Sequence, residues 1–263
     1  MRIVRHGHDR PEGSRGGVFA LGAFDGVHRD HLPLLDRARA LARRKGVGLT
    51  VALPPRAGLA LTPLRTQARL LAGRGADVLW LLRGIGPDEA AFADAVLHRE
   101  LAAAVIVRDD AAATGDGIRA RLASGDLVHA NALLGRNYEI EGHVRDGRRL
   151  GRTIGFPTAN IRLGRAVRPA FGVYAVRVAS ADGMLRDQPG VANIGVRPTV
   201  DGATELLEAH LFDWSGNLYG RPLCVGLVTF LRPERRFAGI DELKAQIARD
   251  AADARAALAR TSP

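Results

Sequence analysis

With 263 residues, 46% of them apolar, the chain exceeds one comfortable hydrophobic core and can furnish two, which excludes a disordered protein. Its single cysteine, Cys224, excludes an internal disulfide and reads as core; with no leader pattern and no apolar stretch near the ~20 residues needed to cross a bilayer, a cytoplasmic protein with no membrane partner is expected. The net charge of +10 is carried almost wholly by arginines scattered among acids, with Lys45 and Lys244 the only lysines, which argues against a nucleic-acid partner and leaves a field suited to polyanionic nucleotides.

The apolar run Gly17 to Leu21 predicts a strand, and Leu34, Leu35, Ala38 and Leu41 then recur at helical spacing, making a βα unit. Val47 to Leu53, Asp77 to Leu82 and Ala104 to Val107 read as further strands, with helical stretches near Pro63 to Gly73 and Pro87 to Leu101 between them. Such alternation favours a parallel sheet covered by helices, with ligands at the carboxyl ends of its strands, where the loop at 22–31 falls.

Gly115 to Gly135 reads as a junction with short helices around Ile118 to Leu122 and Leu127 to Leu134, and the domain division is set at 133/134. Beyond it the pattern changes to short alternating runs, Val173 to Val178, Leu206 to Phe212 and Leu223 to Phe230, separated by Gly, Pro, Asn and Asp, as in a small antiparallel barrel. Ile240, Leu243, Ile247, Ala251, Ala254 and Leu258 recur at three-and-four spacing behind the acidic pair Asp241 and Glu242, which predicts a closing helix. The expected fold class is therefore α/β plus β: a Rossmann-like domain over residues 1–133, then a β-barrel with a C-terminal helix over 134–263.

Residues 151–160 read Gly-Arg-Thr-Ile-Gly-Phe-Pro-Thr-Ala-Asn. Gly151 and Gly155 let backbone N–H groups approach an anion, and Thr158 and Asn160 supply neutral oxygens of the kind that Mg²⁺ selects. By themselves these residues are equally a tight turn before a strand. The segment resembles the signature of the riboflavin kinases, and the resemblance runs on through Gly172-Val-Tyr174, the stretch Gly190 to Thr199, Glu208-Ala-His-Leu-Phe-Asp213, Leu218-Tyr-Gly220 and Phe230-Leu-Arg-Pro-Glu234. It implies a riboflavin kinase that transfers the γ-phosphate of ATP to the riboflavin 5′-hydroxyl, giving FMN. It also implies Glu208 as general base, Thr158 and Asn160 as ligands of Mg²⁺, and Gly147, Gly151, Arg152 and Gly155 around the ATP phosphates. The isoalloxazine is expected towards Arg232 and Phe237. No Gly-x-x-x-x-Gly-Lys-Ser/Thr loop occurs in the chain, which separates it from the P-loop kinases.

The first half, from Gly22-Ala-Phe-Asp-Gly-Val-His-Arg-Asp-His31, resembles the nucleotidyltransferase-type, FMN adenylyltransferase half of the prokaryotic bifunctional riboflavin kinase/FAD synthetases. His28 and His31 keep the spacing of that family's His-x-Gly-His motif, in which helix-terminal histidines hold nucleotide phosphates. Asp30 stands where the family has glycine, Ala23 replaces an asparagine, and Val51-Ala-Leu-Pro-Pro-Arg56 lacks the family's carboxylate and histidine. After Val105 to Asp110 a stretch on the order of forty residues is missing relative to the family, more than a loop adjustment. These departures lead to the expectation that His28 and His31 are vestigial and that adenylyl transfer is lost or largely lost. A bifunctional enzyme and a non-catalytic flavin-binding or regulatory protein are the competing readings.

Overall fold

The computed structural model describes residues 1–6, 15–82, 96–98, 101–109, 112–145, 156–199 and 202–260. The chain forms two compact units, Met1–Gly117 and Ile118–Pro263.

The first unit is a five-stranded, wholly parallel sheet of β1 (Arg2–Arg5), β2 (Val18–Leu21), β3 (Leu49–Leu53), β4 (Val78–Leu81) and β5 (Val105–Arg108), in the order β1-β4-β3-β2-β5. Every residue of β2 and β3 is buried, as expected for parallel strands covered on both faces. Val18 and Ala20 pack with Leu35, Ala38 and Ala42 of α1 (His31–Lys45) and Leu71 of α2 (Leu64–Gly73). Phe19 and Leu21 point the other way, into a cluster with Trp80, Leu97 and Leu101. Helix α1 ends on Gly46 in the left-handed region at φ 67°, with Arg43, Arg44 and Lys45 in its last turn opposing the helix dipole. The chain winds from β2 through β3 to β4 on one side and returns with β5 on the other. The carboxyl ends of β2 and β5 thus flank the switch point at which open α/β sheets bind ligands.

Helix α3 (Ala112–Ser124) is followed by α4 (Leu127–Leu134), whose cap Asp126 accepts a hydrogen bond from the His129 backbone. The second unit is a six-stranded antiparallel sheet of β6 (Tyr138–His143), β7 (Ala159–Arg162), β8 (Gly172–Ser180), β9 (Gln188–Thr199), β10 (Gly202–Leu211) and β11 (Pro222–Pro233). The strand order is β6-β11-β8-β9-β10-β7, and the two edge strands approach one another where Arg145 N–H donates to the Asn160 carbonyl at 2.9 Å, nearly closing a barrel. Alternation along the strands sends Ile161, Tyr174, Ile194, Leu207 and Val225 into a core where each is fully buried. The opposite face of β8 and β9 presents Val173, Ala175 and Val191, which are covered by Ala254, Ala257 and Leu258 of α5 (Ile240–Arg260). Cys224 is half-buried and not core, because it alternates with the inward Leu223 and Val225 along β11. The part of the sheet's outer face that α5 leaves uncovered carries the candidate site.

Candidate active site

Cross-strand pairing lines up residues that are far apart in sequence. Glu208 on β10 stands opposite Asn160 on β7 and Asn193 on β9. Asn193 stands opposite Val173 on β8, and Val173 opposite Arg232 on β11, where two register shifts in β11 bring Arg232 onto that row. Directly paired residues share a face, so the row Asn160, Glu208, Asn193, Val173, Arg232 runs across the outside of the barrel.

Two clefts meet at Thr158. One lies between the strands and the first half of α5, and Thr158, Asn193, Glu208, Arg232, Phe237 and Asp250 are among the residues that line it. The other is lined by Pro157, Thr158, Asn160, Trp214 and Tyr219, among others. Thr158 belongs to both. The structure therefore brings together Thr158, Glu208, Arg232 and Phe237, with Asn160 on the far side of Thr158. Gly147, Gly151, Arg152 and Gly155, predicted around the ATP phosphates, lie outside the described residues.

The polar contacts of these side chains are specific. Arg197, from the end of β9, forms an ion pair through Nη2 with Glu208 Oε2. The Asn160 carboxamide nitrogen points to the Thr158 carbonyl at 3.4 Å, a long contact that turns the carboxamide oxygen the other way. Arg232 engages Asp250 of α5 with both arms of its fork, Nε to Oδ1 at 2.8 Å and Nη2 to Oδ2 at 2.6 Å, and gives Nη1 to the Pro233 carbonyl at 2.9 Å. The guanidinium predicted to meet the isoalloxazine is thus engaged in fixing the helix. Phe237 lies beneath the Arg235 guanidinium at 4.7 Å and farther from that of Arg232, at 5.9 Å. On β10, His210 stands two residues beyond Glu208 on the same face, with Nδ1 2.9 Å from the Pro157 carbonyl. Behind the row, burial pushes the Tyr174 hydroxyl well above the usual tyrosine range while it donates to the Ala170 carbonyl.

Sequence reasoning missed Arg197, Asn193 and Asp250 as parts of this site. Asn193 and Arg197 lie inside the motif-bearing stretch Gly190 to Thr199, which was the available signal. Asp250 is one of several polar residues on an amphipathic helix, and nothing in its neighbourhood marks it.

At the switch point of the first unit, His31 opens α1 and His28 precedes it, with exposures of 2% and 1%. Their rings stack at 3.6 Å, the His28 backbone donates to His31 Nδ1 at 3.1 Å, and His31 Nε2 lies 3.1 Å from Asp109 at the end of β5. The Asp30 carboxylate accepts from Thr114 of α3 at 2.5 Å. The polar contacts read as lost at residues 51–56 are in part replaced: Arg56 pairs with Asp25 of the β2 loop and reaches Gln67 at 3.3 Å. Gln67 in turn donates to the carbonyls of Ala23 and Phe24 at 2.7 and 3.0 Å. Among the described residues no group of three His, Cys, Asp or Glu side chains could hold a metal ion, and no helix is long and apolar enough to cross a membrane.

Comparison with known proteins assigns a family model to each unit. Residues 134–258 match the riboflavin kinase model, and residues 10–115 match the FAD synthetase model. The chain is 36% identical to a bifunctional riboflavin kinase/FMN adenylyltransferase of Escherichia coli strain K12, with all of both chains covered. That alignment of 314 positions exceeds this chain's 263 residues by 51. An enzyme of the same description from Haemophilus influenzae is 51% identical over 139 residues, covering 53% of this chain and 44% of its own. Among solved structures, a macrolide-efflux protein from Streptococcus pneumoniae superposes with a TM-score of 0.75 at 23% identity, covering 95% of this chain and 97% of its own, a likeness of fold. The expected loss of adenylyl transfer gains no support from these matches, since the FAD synthetase model spans the unit concerned.

Proposed function

The chain belongs to the bifunctional riboflavin kinase/FMN adenylyltransferase family, and we propose from that premise that its barrel phosphorylates riboflavin at the junction of the two clefts. The observation that carries the reading is the row that sets Glu208 opposite Asn160, with Thr158 shared between the two clefts. On this reading riboflavin enters the cleft beside α5, and the phosphates of ATP enter the cleft lined by Asn160.

The chemistry asks little of the protein beyond position and charge. The riboflavin 5′-oxygen forms a bond to the γ-phosphorus of ATP, the bond from that phosphorus to the β,γ-bridging oxygen breaks, and ADP departs. Glu208 receives the proton of the 5′-hydroxyl and releases it to solvent as FMN leaves. Its pairing with Arg197 through Oε2 holds the carboxylate in place and leaves Oε1 to face the hydroxyl. A divalent cation accompanies ATP in such reactions. The donors available here, the Thr158 hydroxyl and the Asn160 carboxamide oxygen, are hard and neutral and fit Mg²⁺, which would neutralise phosphate charge. The prolyl ring before Thr158 and the ladder after Ala159 limit how far these two oxygens can drift apart.

Adenylyl transfer from ATP to FMN, giving FAD and pyrophosphate, is the second reading and belongs to the first unit. It is favoured by the family match over residues 10–115 and by His28 and His31 at the start of α1, where helix dipole and imidazoles favour phosphate. Incubating the full chain with riboflavin, ATP and Mg²⁺ and separating the flavins tests both readings. FMN alone assigns the kinase only, FMN followed by FAD assigns both activities, and neither product leaves a flavin-binding protein without turnover.

A further inference from the structure

We propose that His210 is a positioning residue for the Mg²⁺–nucleotide side of the site, acting through the peptide between Pro157 and Thr158; the inference rests on the kinase reading of the barrel. The pairing of β7 with β10 runs from Arg162 opposite Leu206 to Ala159 opposite Ala209 and goes no further. Upstream of Ala159 the backbone that carries Thr158 is therefore outside the ladder. Pro157 has no N–H to extend it, and its carbonyl would have to find a donor elsewhere.

The next outward side chain on β10 supplies that donor. His210 Nδ1 lies 2.9 Å from the Pro157 carbonyl oxygen, and because a carbonyl only accepts, Nδ1 carries the hydrogen. The peptide unit is planar, so a bond that orients its oxygen also orients the Thr158 N–H on the opposite edge and the Cα from which the Thr158 hydroxyl projects. The imidazole is itself held. It meets Phe156 edge to face at 5.4 Å and 71° and Phe212 at 6.0 Å and 72°. Phe212 is buried, and its ring is capped at 4.2 Å by Arg255, which pairs with Asp213 at 2.7 Å. One strand thus presents two outward side chains with different tasks: Glu208 faces the acceptor hydroxyl, and His210 fixes the loop facing the phosphates.

Two substitutions separate this role from simple packing. His210→Phe keeps a ring of similar size and both edge contacts but has no donor; His210→Asn loses the ring but places an amide N–H near the position of Nδ1. The dissociation constant of Mg²⁺–ADP, measured by calorimetry on the full chain, should rise about tenfold in His210→Phe, the factor equal to one hydrogen bond of ordinary net strength. The KM for ATP should rise in parallel, and His210→Asn should recover most of the loss. Unchanged Mg²⁺–ADP binding in His210→Phe overturns the proposal, as does a His210→Asn protein as weak as His210→Phe. FMN formation by the unsubstituted chain is followed in the same series: its absence overturns the kinase reading, while the Mg²⁺–ADP measurements still decide the role of His210. An unsubstituted chain that binds no Mg²⁺–ADP overturns both.

Discussion

Replacing Arg232 by methionine decides whether that residue anchors the closing helix or contacts the flavin. Its fork meets both oxygens of Asp250, at 2.8 and 2.6 Å, while Gln246 adds one hydrogen bond to Asp250 at 2.8 Å. Asp250 is 5% exposed, so Arg232→Met leaves a buried carboxylate with one neutral donor and no counter-charge. Breaking a buried pair from one side costs about 3–5 kcal/mol. The Arg232 side chain retains 21% exposure, which lets some water reach the pair and sets the expectation at the lower end, about 3 kcal/mol. For a unit of this size that is on the order of 10 °C in the barrel's melting temperature. Trp80 and Trp214 lie in different units, so fluorescence in a Trp80→Phe background follows the barrel alone. Chemical denaturation of Arg232→Met, Asp250→Asn and the double variant should give a coupling energy of about 2 kcal/mol, because the second substitution removes a charge that the first has already stranded. Unaltered stability of Arg232→Met, together with a raised KM for riboflavin, would refute the anchoring role and return Arg232 to the flavin.

Three further outcomes follow from the same geometry. Glu208→Gln keeps the shape and one acceptor oxygen but cannot take the proton; kcat for FMN formation should fall about 10²-fold or more, with the KM values for ATP and riboflavin nearly unchanged in steady-state assays. Asn160→Ala should raise the Mg²⁺ concentration needed for half-maximal turnover before it alters the KM for riboflavin, and an unchanged Mg²⁺ titration would remove Asn160 from the ligand set. Tyr174 titrates above its ordinary value of 10.0 because burial disfavours the phenolate, so the unfolded chain ionises first. The stability this confers is complete below pH 10 and is lost as the pH climbs towards the folded value. Tyr174→Phe should therefore flatten the alkaline fall in barrel stability, while costing about 1 kcal/mol at neutral pH through the hydrogen bond to Ala170.

Much of this architecture is legible in the sequence because hydrophobic periodicity and ordered motifs are local signals. The runs at 17–21, 47–53, 77–82 and 104–107 became β2 to β5 to within two residues at either end, and the spacing from Ile240 to Leu258 became α5. β1 escaped notice because Arg2-Ile-Val-Arg5 is four residues long and exposes both arginines, so it has neither alternation nor a continuous apolar run; its place beside β4 depends on the rest of the sheet. The site was legible as a set of residues and illegible as an arrangement. Glu208, Asn160 and Asn193 become neighbours only through the register of three strands, and Arg232 joins the row only through two irregularities in β11 that no composition signal announces. The ion pairs of Arg197 with Glu208 and of Arg232 with Asp250 depend on that register and on the docking of α5.

The cleft lined by Glu208 opens outside the barrel for a physical reason. Six strands surround a core packed with the buried side chains of Tyr138, Tyr174, Leu207, Leu223 and Val225. On β8 and β9 much of the outer face is apolar and needs cover. Helix α5 covers Val173, Ala175 and Val191 with its C-terminal half. Its first half stands off the sheet, tied down by Arg232 to Asp250, and the gap so created is the cleft that Glu208 lines. The period of two along each strand consequently separates two kinds of substitution. Changes at the inward residues Leu207 and Ala209 should act through stability, and changes at their neighbours Glu208 and His210 through turnover and nucleotide binding.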